Sequence, residues 1–377
     1  MSRRNGGARA GRRGSTGGSA QPLVRFSAGT FTRSSEASYY TQPIGGGAGS
    51  TFIAWAGSNL LRYDAIDNQP LALFEGSQSN LCPYSEDLNQ AAWVKTGASI
   101  SGTTGAAPDG ASDLCTVSFT ASASDMLMQQ VTGTADATTY MSTVFVRKTT
   151  GTGAVRFRLV DRANATTISS DIAISTTWQR IEFRNSWGTG ATTPEIGLIN
   201  GTAGAAQDVE VWGFDVKASP AANAYPTSYV RTTATSATRA VDSLTYTSLP
   251  AAMATGKWRF ALRPIGANTE ATGAVYFGLS STVNSYVSSG TNSIAAVANG
   301  AVAFTRSPIA WSRNSAMTVT VDCAAFTMTI AGATSGNGTG AVGTNPAYGT
   351  TYLRVGGSFN GAGGFAFARI GEPYAAT

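Results

Sequence analysis

Few residues in this chain of 377 could carry acid–base or nucleophilic chemistry. Histidine is absent, which excludes a Ser–His–Asp triad, a Cys–His pair and a histidine-based zinc site. Paired carboxylates could still hydrolyse a glycoside, provided that two carboxyl groups lie about 5–10 Å apart. The carboxylates available for such a pair are Glu86, Asp87, Asp109, Asp113, Glu195 and Asp215. Because such acids are also typical turn formers, caps and Ca²⁺ ligands, we predict no enzyme and no cofactor, with a structural Ca²⁺ as an alternative use for them.

Two tryptophans are candidates for contact with a sugar. Trp187 lies in Asn185-Ser-Trp-Gly-Thr-Gly190 and Trp311 lies in Ile309-Ala-Trp-Ser312, both of which read as loops. An exposed indole can stack on the apolar face of a pyranose, whereas a buried one packs in the core. The tryptophans predicted to be core residues are Trp93, Trp178, Trp212 and Trp258.

The first 22 residues are rich in arginine and glycine. Their arginines are Arg3, Arg4, Arg9, Arg12 and Arg13. Residues 1–35 contain seven arginines and no acid, which gives them a charge of +7. Since the net charge of the whole chain is +5, residues 36–377 carry 5 − 7 = −2 and are close to neutral. This arm is either a solvated tail or an anchor whose arginines pair with acidic groups of a partner protein. Nucleic acid is not the expected partner, because no aromatic residue lies among these arginines.

Composition and patterning predict an all-β fold. Charged residues make up 12% of the chain, about half the usual share of roughly 25%. The chain therefore has too few charged residues for the solvent-facing sides of amphipathic helices. Apolar residues alternate with polar ones in residues 155–160 and again in 317–321 and 326–330, the period of a half-buried strand. The three cysteines, Cys82, Cys115 and Cys323, show no metal-binding spacing and are expected to be reduced and buried.

Several motifs resemble a family of tailed-phage virion surface proteins, which includes head fibres, capsid decorations and tail appendages. The matching segments are Phe31-Thr-Arg33-Ser-Ser35-Glu-Ala37-Ser-Tyr39, Arg62-Tyr63-Asp64, Glu75 to Leu81, Tyr84-Ser85-Glu86-Asp87 to Trp93, Ala107-Pro108-Asp109-Gly110, Pro226 to Val230, and Arg239-Ala-Val-Asp242. The resemblance implies a jelly roll similar to carbohydrate-binding modules, followed by a sandwich similar to concanavalin or laminin-G domains.

The predicted architecture is two consecutive jelly-roll or β-sandwich domains preceded by an extended N-terminal arm. Its parts are a basic anchoring arm (1–30), an irregular connector (31–80), the jelly roll (81–238) and the concanavalin-like sandwich (239–377).

The predicted function is that of a virion structural protein, located in the virion, made in the host cytoplasm without a signal peptide and not membrane-spanning. Its expected partners are other virion proteins of the portal, tail or capsid, further copies of itself, and a host-surface polysaccharide. The alternatives are a dedicated carbohydrate-binding receptor-recognition protein and a polysaccharide depolymerase.

Overall fold

A computed structural model of the chain shows an all-β protein made of two β-sandwiches. It describes residues 25–41, 44, 50–64, 71–102, 106–111, 114–131, 134, 139–151, 153–160, 165–187, 194–219, 227–248, 250–264, 274–278, 286–290, 293–298, 301–325, 327–336, 338–341, 353–355, 364–365 and 368–376.

The strands that precede the first sandwich in the chain are β1 Thr30–Thr32, β2 Ala37–Tyr40, β3 Ile53–Ala56, β4 Arg62–Asp64, β5 Leu71–Phe74 and β6 Gln78–Asn80. The central strands are β7 Trp93–Thr96, β8 Ala98–Ser101, β9 Cys115–Phe119, β10 Met126–Gln130, β11 Thr139–Lys148, β12 Ala154–Val160, β13 Thr166–Ile168, β14 Ile172–Ala173, β15 Gln179–Ser186, β16 Glu195–Asn200 and β17 Gln207–Ser219.

The remaining strands are β18 Ala237–Arg239, β19 Ser243–Tyr246, β20 Lys257–Pro264, β21 Ala274–Gly278, β22 Tyr286–Gly290, β23 Ser293–Ala298, β24 Ala301–Arg306, β25 Met317–Asp322, β26 Thr327–Ala331, β27 Gly338–Ala341, β28 Leu353–Val355, β29 Gly364–Phe365, β30 Ala368–Ile370 and β31 Tyr374–Ala375. The helical elements are a 3₁₀ turn, Phe26–Ala28, and a short α1, Ala251–Thr255. In the part of the chain that the structure describes, no helix is long and apolar enough to cross a membrane.

The central strands form a jelly-roll sandwich of two antiparallel sheets. One sheet has the order β13-β12-β16-β10-β7 with β14 beside β12, and the other has the order β15-β11-β17-β9-β8. Between them Val155, Phe157 and Leu159 of β12 face inward, as their alternation predicts. Strand β11 pairs with both β15 and β17 and is buried on both faces.

The C-terminal sandwich includes strands from the N-terminal part of the chain. One sheet has the order β1-β19-β28-β21-β22-β23-β24 with β29 beside β21. The other has the order β27-β26-β25-β20-β30-β5-β4 with β31 beside β20. The two segments with alternating apolar residues form the hairpin β25–β26, in which Met317, Val319 and Val321 pack in the core with Met328 and Ile330.

Residues 31–80 therefore differ from the irregular connector that we predicted. Strands β4 and β5 extend one sheet of the C-terminal sandwich, β1 extends the other, and β6 pairs with β18. The hairpin β2–β3 covers the outer face of the jelly-roll sheet that contains β11, where Phe52 and Ile53 pack on Phe145 and Trp212. The sequence conceals this role, because β1, β5 and β6 join their sheets through partners more than 150 residues further along the chain.

Candidate functional site

Five charged side chains form a buried cluster where the N-terminal strands meet the two sandwiches. We call Arg33, Arg62, Glu75, Arg239 and Asp242 the junction cluster, and none is more than 1% exposed. Arg62 donates to Glu75 Oε2 at 2.9 Å and also to Asp242 Oδ2. Arg33 donates to Asp242 Oδ1 at 3.0 Å. Arg239 lies 3.8 Å from Glu75 Oε2 and 3.7 Å from Asp242 Oδ2, which completes a network of alternating charge.

Strand ends position every member of this cluster. Arg33 follows β1, Arg62 begins β4, Glu75 follows β5, Arg239 ends β18 and Asp242 precedes β19. All five belong to the motifs that resemble virion surface proteins. These five motif residues thus form an architectural junction, since they contact one another and backbone carbonyls rather than open solvent.

The cluster holds the Glu75 carboxylate ionised. Burial alone would raise the pKa of Glu75, but the neighbouring Arg239 and Arg62, with hydrogen bonds from Ser228, hold that pKa well below its usual range. The Ser228 hydroxyl donates to Glu75 Oε2 at 2.5 Å and its N–H donates to Oε1 at 2.8 Å. Glu75 is therefore a poor candidate for a general acid.

A cavity of about 190 Å³ lies beside the junction cluster, between the two sandwiches. Its walls come from the hairpin β2–β3, the edge strand β15, the segment 227–229, the loop before β25, and the outer face of β5 and β30. The lining residues are Ser38, Tyr39, Tyr40, Ile44, Ile53, Leu73, Glu75, Arg180, Glu182, Thr227, Ser228, Tyr229, Arg313, Asn314 and Arg369. The volume is below the roughly 300–1,000 Å³ of sites for drug-sized ligands, so the cavity suits one small cyclic group.

Arg180 forms the jelly-roll wall of this cavity. Its guanidinium donates to the Thr143 hydroxyl, at 2.8 and 3.1 Å, and to the Thr227 carbonyl at 2.7 Å. It also reaches the Tyr40 hydroxyl and Asp215, both at 3.3 Å. These contacts hold Arg180 rigidly in place at the cavity wall.

The opposite wall carries two further arginines. Arg313 donates to both carboxylate oxygens of Glu182, at 2.7 and 3.0 Å, and so joins the C-terminal sandwich to β15. Arg369, 5% exposed, donates to Asn314 Oδ1 at 2.8 Å. Arg313 lies at the rim with 30% of its side chain exposed.

Cations exceed anions at this cavity among the described residues. Three arginines and two glutamates line it. Behind the lining, Arg62 and Arg239 lie against Glu75, and Asp215 lies against Arg180. A cavity with this balance favours an anionic group over a cationic one.

A buried Lys217–Asp215 pair supports the same wall. Lys217 Nζ lies 2.7 Å from Asp215 Oδ2 and also donates to the Thr227 hydroxyl and the Ser228 carbonyl. Burial lowers the pKa of Lys217 to about 8. This pair fixes residues 227 and 228, which line the cavity.

The structure corrects our prediction for the two loop tryptophans. Trp187 is fully buried and its ring packs on Tyr140 with centroids 4.7 Å apart. Trp311 is 1% exposed and belongs to the core of the C-terminal sandwich. Neither indole presents a face to a sugar, so the predicted glycan contacts through Trp187 and Trp311 are wrong for this fold. The other four tryptophans named above are core residues, as predicted.

The candidate carboxylates serve as ion-pair partners and turn formers. Glu86 and Asp109 share one guanidinium, since Arg231 Nη2 lies 2.7 Å from Asp109 and its Nε lies 2.8 Å from Glu86. Asp87 accepts from the Asn89 N–H in a turn. Asp215 lies against Arg180 and Lys217. Glu195 lies on β16, and Asp113 lies outside the described residues.

The predicted anchor residues cannot be placed. Arg3, Arg4, Arg9, Arg12 and Arg13 lie outside the described residues. Their role in binding a partner stays a prediction.

Sequence reasoning missed the residues that build the cavity. Tyr39 ends a recognised motif and Tyr40 follows it directly, but nothing in the motif indicates which side chains face a cavity. Arg180 and Glu182 alternate with the buried Ile181 on β15, so the strand pattern places them on one face. What lies opposite that face depends on a segment more than a hundred residues away.

No group of three histidine, cysteine, aspartate or glutamate side chains that could hold a metal ion is found within the described ranges. The structural Ca²⁺ named above thus stays a prediction.

Comparison with known proteins finds likenesses of structure only. No family model matches the chain and no curated relative matches it. Solved structures that resemble it include the CBM22-1 xylan-binding domain of Paenibacillus barcinonensis Xyn10C, with 14% identity over 38% of this chain and 94% of that one and a TM-score of 0.31. The tandem CBM22-1–CBM22-2 domain of the same protein shows 10% identity over 79% and 98%, with a TM-score of 0.32.

A third similar structure is the CBM22-1 and GH10 modules of Clostridium thermocellum Xyn10B in complex with xylohexaose, with 15% identity over 39% of this chain and 29% of that one and a TM-score of 0.31. These neighbours contain carbohydrate-binding modules. The assignment of this chain to the β-sandwich class rests on its own strand pairing, and the likeness to virion proteins stays a prediction.

Proposed function

We propose that this protein is a non-catalytic recognition protein that binds a glycan by seating an acidic sugar in the cavity between its sandwiches. The observation that carries the proposal is the lining of that cavity, in which tyrosines stand beside an excess of arginine over glutamate.

The chemistry of the lining matches a sugar acid. Arginine forks pair with carboxylates in a bidentate geometry. Tyrosine combines an apolar ring with a hydroxyl, as the alternating C–H and O–H groups of a pyranose require. Arg180 uses all five of its N–H groups in bonds to the protein and therefore contributes its positive charge to the cavity, not a free fork. Arg369 is held by Asn314, so little ordering of this side chain is needed when a ligand binds.

Binding of trigalacturonate, measured by isothermal titration calorimetry, tests this function, with neutral galactotriose as the matched ligand. We expect trigalacturonate to bind and its affinity to fall as salt is raised. Arg313→Gln should weaken binding by about ten- to a hundredfold, because a hydrogen bond to a charged group contributes roughly 1.5–3 kcal/mol.

The matched control is Arg184→Gln. Arg184 is exposed on the same strand as Arg180 and does not line the cavity. Its replacement should leave the affinity unchanged. Absence of binding to every acidic oligosaccharide of a glycan array would refute the proposal, and release of reducing ends from a bound polysaccharide would favour the depolymerase alternative.

Location in a virion is a second proposal, supported by the motifs whose charged residues form the junction cluster. It predicts that the protein stays on particles washed in moderate salt. Deletion of residues 1–22 should abolish incorporation and leave the sandwiches folded. Normal incorporation of the shortened chain would show that the arm is not the anchor.

A further inference from the structure

A second concave site lies on the outer face of the C-terminal sandwich. It is a groove of about 470 Å³, within the usual range for ligand sites. Its lining residues are Tyr63, Leu71, Arg259, Phe260, Ala261, Thr318, Ile370, Gly371, Glu372 and Tyr374. We infer that this groove is a separate binding site for a neutral saccharide.

The strand register explains the concave shape. Ala261 and Thr318 are paired across β20 and β25, so both side chains lie on the outer face of the sheet. The Gly371 N–H donates to the Ala261 carbonyl at 2.9 Å. A Cβ on Gly371 would lie only 3.1 Å from the Ala261 Cβ. Two small residues side by side thus leave a low apolar floor, to which Leu71 also contributes.

Aromatic and polar side chains surround this apolar floor. Tyr374 pairs with Arg259 across β31 and β20, which places both side chains on the outer face. Tyr63 is 40% exposed, so part of its ring is open to a ligand. Burial and the nearby carboxylate of Glu372 together raise the pKa of Tyr63, so its hydroxyl stays protonated and able to donate.

The charges of the groove indicate an uncharged ligand. Arg259 and Glu372 balance each other, and the other lining residues are neutral. The tyrosine rings and the small apolar floor suit the apolar faces of a neutral sugar. The hydroxyl, the guanidinium and the carboxylate at the sides can bind its hydroxyl groups.

The groove opens next to the interdomain cavity. Leu71 and Gly371 line the groove, whereas Leu73 and Arg369 line the cavity, two residues away on the same two strands. Two residues along a strand span about 7 Å, so one glycan chain can reach both sites. The residues of the two sites are nevertheless different, and the groove can be tested by itself.

The inference is tested by screening the full chain on an array of neutral glycans. Calorimetric titration then follows with maltohexaose, xylohexaose, cellohexaose and isomaltohexaose. At least one neutral glycan should bind, and Tyr63→Ala and Tyr374→Ala should each weaken it by about tenfold through loss of ring contact. Tyr63→Phe keeps the ring and should retain most of the affinity. Thr318→Arg should block the groove without disturbing the core, because Thr318 is exposed.

Arg184→Gln is the control and should not affect the neutral ligand, because Arg184 is exposed on β15 and lines neither the groove nor the cavity. Wild-type affinity in the Tyr374→Ala and Thr318→Arg proteins, or a wild-type chain that binds no neutral glycan, would overturn the inference. Neutral binding without acidic binding would refute the function proposed for the cavity and leave this inference standing. Binding of acidic glycans without binding of neutral ones would overturn this inference and leave the function proposed for the cavity standing.

Discussion

Replacement of Arg62 by methionine is the sharpest test of the role given to the junction cluster. Methionine keeps most of the length of the arginine side chain and removes its charge. The guanidinium lost in this way donates to Glu75, Asp242, the Ser38 carbonyl and the Ser228 hydroxyl, and all of these bonds are buried. After the change two buried carboxylates remain with fewer cations to neutralise them.

The size of the effect follows from that burial. Removal of one partner of a buried ion pair costs about 3–5 kcal/mol, because the remaining charge is neither hydrated nor paired. Exposed pairs are worth roughly 0.2–1 kcal/mol. The matched control is therefore Arg313→Met, whose partner Glu182 has 41% of its side chain exposed.

The assay is urea unfolding followed by tryptophan fluorescence, with the free energy obtained from midpoint and slope. Both sandwiches contain buried tryptophans that report on unfolding. We expect Arg62→Met to lose about 3–5 kcal/mol and Arg313→Met to lose less than about 1 kcal/mol. If the two variants lose equal amounts, the cluster does not stabilise the junction as argued.

Three further predictions concern pH, packing and thiol access. Neighbouring cations hold the folded-state pKa of Glu75 below its ordinary value of 4.5, so ionised Glu75 stabilises the fold above about pH 4.5. This stabilisation is lost as the pH falls further. The free energy of unfolding should therefore fall less steeply with acid in Glu75→Gln than in the wild type. Gly197→Ala should cost about 1–3 kcal/mol in thermal or urea unfolding, since the new Cβ would lie 1.8 Å from the Leu127 carbonyl oxygen. Gly102→Ala, with open space around it, should be nearly neutral, and equal losses would contradict this reasoning. The three buried cysteines should react slowly with a disulfide reagent in the folded protein and quickly in urea, whereas fast labelling of the native chain would contradict their burial.

Local alternation was sufficient to predict individual strands. The β25–β26 hairpin and the inward face of β12 follow from a period of two, because a half-buried strand must place its apolar side chains on one side. Burial of Trp212 and Trp258 follows for the same reason.

The tryptophans in loop-like sequence show where that reasoning ends. Asn185 to Gly190 contains small polar residues typical of a turn, yet Trp187 packs on Tyr140 across the sheet. Exposure depends on what lies against a side chain, and local sequence does not contain that information. The same limit applies to β5, which pairs locally with β4 but joins the sheet through β30, almost three hundred residues further along the chain.

Composition and alternation were enough to predict the all-β class, the period of the strands and the exclusion of histidine chemistry. They could not predict that five charged motif residues meet in one buried cluster, or that a cavity and a groove lie beside one another on the same sheet. Periodicity acts between neighbours in the chain, whereas charge pairing and concave surfaces arise between strands that folding brings together from distant positions.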